Sequence, residues 1–479
     1  MNQSPSDAGI GRRITRYSTL LTLSGILCKL LLLVYTLLAV RILGEVRFGR
    51  IEYFIEVAII FTVLLDFGLE QTVTRELARR RESLPSLLVP LLGYRFIATV
   101  ISAFVMVGFL WLTQQEGHTL ALMICATLYF FITSLVMLVR AIVRSFEWLN
   151  WESAANLLDK VIHIGIGITL LAVYPKLPAL ALAYSAGAMI SLLIYSGLIW
   201  RATHIENWSL SWRVGVSWQQ LAWPIGLSAA CILLLHRQDT VMVNWIQGDA
   251  ETGLYRAPYR LLEGLFLFPQ VMAISAYPVF SRLFHQGKPF AQTAGLLMRG
   301  LLMLSLPIAI GGIFTGHGML LTLMDNLPTK SGDVFVILLW SLPFIYLNFI
   351  LGTILNATDR HHLNLRASAW GMVSNVLINI PAILYLGAIG AALVTVFSQG
   401  LYAARMLIYT RDLNLWHSGK RYAAIALACL VMAAVLYQLA ERWYIEIPIG
   451  AVVYLLTLLL CRGLSRHEIS NIMRVVRNR

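Results

Sequence analysis

YSTLLTLSGILCKLLLLVYTLLAV, residues 17–40, is the stretch on which the fold turns. Its only charged side chain is Lys29. The run is long enough to cross a bilayer, whose hydrocarbon core of about 30 Å takes roughly 20 apolar residues at about 1.5 Å each. It exceeds a signal-peptide core and lacks a small-residue cleavage site, so it reads as a retained first span. The rest of the chain has the same character. Of 479 residues, 58% are hydrophobic and 13% charged, with a mean hydropathy of +0.73. Soluble proteins are about one quarter charged, and half that density cannot solvate a surface of this size. A soluble enzyme, a disordered chain and a disulfide scaffold are excluded, which leaves an all-α polytopic membrane protein. Cys28, Cys125, Cys231, Cys429 and Cys461 lie in apolar stretches without paired spacing, and read as small buried hydrophobes. No CxxC, HExxH, phosphate-loop or GxSxG pattern occurs, so no catalytic residue, metal or cofactor is expected.

The same ruler finds about fourteen spans. The first six lie near 17–40, 50–67, 85–113, 119–139, 154–173 and 179–200. The rest lie near 219–246, 252–280, 293–315, 333–356, 367–386, 389–409, 422–440 and 447–462. The second and fifth are the weakest, interrupted by Glu52 and Glu56 and by Asp159-Lys160. With the N-terminus inside, about 23 Lys and Arg collect on the cytoplasmic side and about 6 on the other, the expected bias. Both termini are then cytoplasmic, and the net charge of +13 is explained without a nucleic-acid partner. The tail SRHEISNIMRVVRNR (465–479) offers a capping box at Ser465 and Glu468 and an apolar stripe opposite arginines. It reads either as a helix on the anionic leaflet or as a frayed, solvated end. An intramembrane glycan polymerase would need a sizeable external loop with paired acids. The longest outer loop, near His317–Asp333, has only Asp325 and Asp333, which read as turn residues.

LGEVRFGRI (43–51) and QGDAETGLY (247–255) each place two glycines five apart between spans, Gly44/Gly49 and Gly248/Gly253. Each pair is followed by a bulky residue, Ile51 or Tyr255, and the next span runs into a basic turn, TREL (74–77) or FSRL (280–283). The offset is about 204 residues, and six intervening spans give both copies the same orientation about an axis along the membrane normal. The expected architecture is two six-helix lobes, 1–218 and 219–410, with two extra spans and a basic tail over 411–479. Such lobes can rock about a central cleft.

Longer blocks then become familiar: GEVRFGRIEYF (44–54), DFGLEQTVTRELAR (66–79), GLYRAPYRLLE (253–263), SAYPVFSRLF (275–284), and ILNATDR through VTVFSQ (354–399). Together they resemble the polysaccharide-biosynthesis branch, including O-antigen flippases, of the multidrug/oligosaccharidyl-lipid/polysaccharide exporter superfamily. DFGL followed by RE is the most specific piece. The resemblance implies a flippase rather than an enzyme, with a V-shaped alternating-access cleft and no nucleotide hydrolysis. Its cargo would be an undecaprenyl-pyrophosphate-linked oligosaccharide (an O-antigen, capsule or exopolysaccharide repeat unit) moved from the inner to the outer leaflet of the cytoplasmic membrane. Implied partners are that lipid-linked oligosaccharide and the membrane lipids, with polysaccharide polymerase and chain-length proteins beside them. A cation-coupled multidrug antiporter shares the fold and is the alternative. It calls for an acidic site, whereas the first span offers Lys29.

Ionisable residues inside spans cost roughly 2.5–3.5 kcal/mol each at the bilayer centre, and so default to functional candidates. Lys29 lies near the midplane, and His236, Arg237 and Asp239 lie on the seventh span. Arg256, Arg260 and Glu263 repeat at i, i+4 and i+7, on one face of the eighth. The functional reading has Lys29, His236, Arg237, Arg256 and Arg260 lining the cleft and holding the pyrophosphate; the alternative for Lys29 is a buried pair. Asp66, Glu70, Asp239 and Glu263 are the coupling or gating candidates. For Asp66 and Glu70, beside Arg75, a structural ion pair is the competing reading. Arg41 and Arg95 read as snorkelling or phospholipid-facing. Pro224 and Pro269 are hinge candidates, with static kinks as the alternative.

Overall fold

The computed structural model describes residues 7–79, 84–113, 120–202, 212–415, 419–439 and 442–461. Helix accounts for nearly all of them, and no strand occurs among the described residues. The tail segment 465–479 lies outside them. Twelve of the described helices are long and apolar enough to cross a membrane, or thirteen if the bent pair Arg213–Trp223 and Gly226–Gln247 is one span. The protein is a multi-pass membrane protein.

Helix α1 runs Asp7–Asp66 and includes both of the first two expected spans. Its apolar part, Ser24–Asp66, has 43 residues, or ~65 Å at the α-helical rise, about twice the hydrocarbon thickness. It cannot be one span. Gly44, at φ 70° and ψ 176°, interrupts the helix at its middle, in a region that a side chain with a Cβ adopts only under strain. The count of fourteen treats the two arms on either side of Gly44 as separate spans. Phe67 and Gly68 also take positive φ, and separate α1 from α2 (Leu69–Arg79). α2 is amphipathic: Leu69, Val73 and Leu77 recur every fourth residue and are buried, while Arg75 and Arg79 point outward.

Contacts divide the chain into two compact units at Arg260/Leu261. In the first, α3 (Leu84–Thr113), α4 (Leu120–Ser145), α5 (Leu149–Val173), α6 (Leu177–Ala202) and α7 (Trp212–Gln247) follow. α4 and α5 both pack on α6, α1 packs on α4, α5 and α7, and α2 and α3 pack on α4 and α7. Leucines from α2 and α3 join Leu138, Val139 and Ile142 of α4, Ala155 of α5, and Tyr195 and Ile199 of α6 in one core. The 68° bend in α7 falls at residues 224–225, the position of the hinge candidate Pro224. α8 (Asp249–Leu265) begins in this unit and crosses its boundary.

The second unit holds α9 (Leu267–His285), α10 (Ala291–Leu323), α11 (Lys330–Leu339), α12 (Leu342–Ala357), α13 (His361–Leu386), α14 (Ala388–Tyr409), α15 (Gly419–Leu439) and α16 (Trp443–Leu460). The break between α8 and α9 has an identifiable cause. Pro269 has no N–H for the Leu265 carbonyl one turn earlier, and the Tyr346 hydroxyl of α12 donates to that oxygen at 2.8 Å. α15 and α16 stack through Ile425, Ala428, Cys429, Met432, Leu436, Tyr454 and Leu458, against Met303, Leu306, Ile310 and Phe314 of α10. All five cysteines are free thiols. Cys125, Cys231 and Cys429 are buried as expected, Cys28 is half-buried, and Cys461 is exposed because it ends α16.

Candidate functional site: a charge cluster on α1, α7 and α8

Glu52 and Glu56 are one helical turn apart on the second arm of α1, and Arg256 and Arg260 are one turn apart on α8, so each pair shares a face. The two faces meet because glycines let the backbones approach. A Cβ on Gly49 would run into the Asp249 carbonyl, and one on Gly253 into the Glu45 carbonyl. Small residues at such crossings are what allow membrane helices to pack closely. Beside this crossing Arg50 Nε reaches Asp249 Oδ2 at 2.5 Å, and Asn244 Nδ2 donates to Asp249 Oδ1 at 3.0 Å.

One turn further along, the charges interlock. Arg256 donates through Nε to Glu52 Oε2 at 2.9 Å and through Nη2 to Glu56 Oε1. Arg260 donates to Glu52 Oε2 through Nε at 3.0 Å and Nη2 at 2.7 Å, and its Nη2 stands 3.8 Å from Glu56 Oε1. Arg237, from α7, places Nη1 2.6 and 2.7 Å from the two Glu56 oxygens. Three guanidiniums thus share two carboxylates. Exposure is graded across them: the side chain of Arg256 is 0% exposed, that of Arg260 8% and that of Arg237 23%. Aromatic groups form the surround. The Tyr259 ring lies 5.4 Å from the Arg256 guanidinium and its hydroxyl is 3.3 Å from His236 Nδ1. Asp239, buried, accepts from the Tyr255 hydroxyl at 2.8 Å.

Arg237, Arg256 and Arg260 are therefore brought together, with His236 and Asp239 joined through the tyrosines of α8. Their partners Glu52 and Glu56 were missed by sequence reasoning, which treated them only as blemishes in a weak span. A signal was present. Arg256 and Glu52 are 204 residues apart, the offset that relates Gly49 to Gly253, and the same shift carries Glu56 onto Arg260. The expectation of arginines presented to an open cleft needs recasting: in this state Arg256 is enclosed and engaged by carboxylates.

The other candidates lie elsewhere. Lys29 is half-buried on the first arm of α1; the neighbouring Cys28 thiol faces the Asn156 carbonyl of α5 at 3.7 Å. Glu263 is half-buried on α8, in the second unit, where Pro269 is buried. Asp66 and Glu70 belong to a separate network. Arg95 Nη1 stands 3.3 Å from Asp66 Oδ1, and its Nε donates to the Ser134 carbonyl at 3.0 Å. Arg95 is 1% exposed, so it does not snorkel, because Asp66 and the α4 backbone hold it inside. Glu70 receives two hydrogen bonds of 2.8 Å from Arg140 and one of 2.7 Å from Arg144. Arg144 continues to Glu152 at 2.8 and 2.5 Å. Arg75, the neighbour expected beside Glu70, turns instead to Glu76 at 3.1 Å.

Membrane-spanning helices, a close α1–α8 crossing at Gly49 and Gly253 and a buried arginine cluster together define a transporter fold. The chain belongs to the polysaccharide biosynthesis protein family, whose model matches residues 14–284, within the multidrug/oligosaccharidyl-lipid/polysaccharide exporter superfamily. The MatE model matches residues 224–381. Among curated proteins it is similar to "Probable flippase AglR" of Haloferax volcanii, 27% identical over 39% of this chain and 39% of that one. It is also similar to "Probable low-salt glycan biosynthesis flippase Agl15" of the same organism, 22% identical over 50% of this chain and 53% of that one. The matches thus span about half the length of these relatives or less. Among solved structures, lipid II flippase MurJ in an inward closed conformation aligns over 93% of this chain and 99% of its own, with TM-score 0.74 and 16% identity. That likeness is one of fold.

Proposed function

We propose that the protein moves a lipid-linked oligosaccharide from the inner to the outer leaflet of the cytoplasmic membrane, with both termini cytoplasmic. The observation that carries this reading is the gathering of three arginines from α7 and α8 at one point inside the membrane-spanning helices, with the Arg237 guanidinium still 23% exposed. A glycan and a diphosphate cannot enter hydrocarbon unaided, and an intramembrane guanidinium is retained where it has an anion to hold. The flippase names of AglR and Agl15 support the reading. So does the family model, which spans the whole cluster.

The proposed cargo is an undecaprenyl-pyrophosphate-linked repeat unit of an O-antigen, capsule or exopolysaccharide. Arg237, the most exposed guanidinium of the three, meets its diphosphate first, and Arg260 and Arg256 follow. Lys29 and His236 extend the polar lining. Two lobes, 1–218 and 219–410, rock about this site, with Gly44, Pro224 and Pro269 among the points of flexure. Asp239 and Glu263 stand as gating residues, while Asp66 and Glu70 serve as a structural ion-pair network rather than as a gate. A cation-coupled antiporter is the second reading, favoured by the MatE match; the partly exposed Arg237 guanidinium disfavours it, because a cationic drug would be repelled there.

The test is transport by the full-length protein in proteoliposomes carrying a fluorescent diphosphate-linked lipid sugar on one leaflet. Arg260→Ala and Lys29→Ala are expected to slow its appearance on the other leaflet at unchanged protein level. Wild-type rates in both variants, or no movement by the wild type, would overturn the proposal.

A further inference from the structure

The cluster poses a question that a diphosphate site alone does not answer: why a surface meant for an anion carries two glutamates in its centre. Buried ion pairs are seldom retained for stability, since apolar groups of similar volume often do as well or better. Intramembrane carboxylates bear a further insertion cost. Glu52 and Glu56 also do more than neutralise one arginine each. Glu52 accepts from Arg256 and Arg260, and Glu56 accepts from Arg237 and Arg256. Together they engage all three guanidiniums, which an incoming anion would have to take from them.

From this we infer that Glu52 and Glu56 set a charge threshold for cargo: they are resident competitors that a doubly charged diphosphate displaces and a singly charged phosphodiester lipid does not. The inference rests on the arginine cluster being the anion site proposed above. Its physical basis is pair accounting. A ligand with two anionic groups can replace both carboxylates and leave every guanidinium engaged by charge-assisted hydrogen bonds. A ligand with one such group can replace only one carboxylate. The other stays on the arginines and repels the newcomer across a few ångströms of low-dielectric interior. Discrimination then comes from a penalty built against the wrong ligand rather than from extra contacts to the right one. The problem is real for a protein bathed in phosphodiester lipids, which outnumber any carrier-linked sugar. Displacement has a mechanical consequence as well. The same hydrogen bonds fasten the second arm of α1 to α8, so an adequate anion also unlatches these two helices.

The experiment uses full-length protein in detergent, with geranylgeranyl diphosphate and short-chain phosphatidylglycerol as probes in equilibrium binding. Wild-type protein is expected to prefer the diphosphate by at least about 10-fold, and Glu52→Gln/Glu56→Gln to narrow that preference to about 3-fold or less by tightening phosphatidylglycerol. An unchanged preference in the folded double variant would overturn the inference. Where the double variant does not fold, Glu56→Asp keeps the charge and shortens its reach. It should move the preference in the same direction, and an unchanged ratio there also overturns the inference. Arg260→Ala separates the two levels of the argument. If it loses the diphosphate while the glutamate variants leave the ratio alone, the anion site stands and only the threshold falls. If it binds both probes like wild type, the site itself is refuted and the threshold with it.

Discussion

Two charge networks sit on the second arm of α1 and its continuation in α2, and they are built differently. Towards Asp66 and Glu70 the count balances: Asp66, Glu70 and Glu152 face Arg95, Arg140 and Arg144. Those groups come from α1 to α5, helices that follow one another in the chain, and α2 to α5 share one core of the first unit. Glu52 and Glu56 instead face Arg237, Arg256 and Arg260, with Asp239 buried nearby. There the partners lie about two hundred residues away, on α7 and α8. A network among near neighbours fixes a fold. One drawn from distant helices, with Arg237 still 23% exposed, is where another anion can compete for the guanidiniums.

The largest effect that could break this contrast is expected at Glu70. Glu70→Ala leaves Arg140 and Arg144 without their shared acceptor; with those side chains 24% and 38% exposed, the cost lies between the about 0–1 kcal/mol of exposed pairs and the about 3–5 kcal/mol of fully buried ones. Thermal unfolding of the purified protein should fall sharply, with transport lost in proportion to folded protein. A variant that melts like wild type would remove the structural role of the balanced network. Arg260→Ala should do the reverse, with a smaller stability loss, because Glu52 and Glu56 keep Arg256 and Arg237, and a transport defect larger than the loss of folded protein.

A second prediction concerns the crossing that brings the Glu52–Glu56 cluster together. Gly253→Leu drives a side chain into the Glu45 backbone, and overpacking of this kind costs about 1–3 kcal/mol. The α1–α8 contact should loosen, and diphosphate binding should weaken along with stability. Gly25→Ala, where among the described residues no atom beyond its own stretch of helix lies within 4 Å of the added carbon, should change neither. Equal behaviour of the two variants in a melting assay would sink the role given to the glycine crossing.

These contrasts also mark how far the sequence could be read. Helical spans follow from hydropathy because the bilayer imposes a length and leaves no other home for apolar runs. Gly44 was expected in a turn between spans, and in the structure it kinks one long helix. The two glycine turns were legible as a recurrence at one offset, and the structure brings Gly49 and Gly253 of those turns into close approach. Pairing of charges was not legible by adjacency. Glu52 and Glu56 find their partners through a symmetry that appears only when the 204-residue offset is carried past the glycine turns into the spans. Arg95 illustrates the other limit. One arginine in an apolar run looks the same whether it reaches for lipid phosphate or for Asp66, and only helix packing decides.

The smallest expected effect sharpens the same point. Arg75 stands five residues from Glu70, close enough in sequence to suggest a pair. At ~100° per residue, however, five residues turn a helix by about 140°, onto nearly the opposite face. Glu70 therefore points to α4, while the Arg75 side chain, 47% exposed, meets Glu76 next to it. Arg79 stands 3.8 Å from the same carboxylate, so Glu76 keeps a cation nearby if Arg75 is removed. Exposed pairs contribute about 0–1 kcal/mol, and Arg75→Ala should shift unfolding by no more than that. Arg140→Ala, on the partner that Glu70 does use, should cost several times as much. Measured side by side in one melting series, a reversal of that order would mean that α2 is turned about its axis in the membrane, with Glu70 facing away from α4.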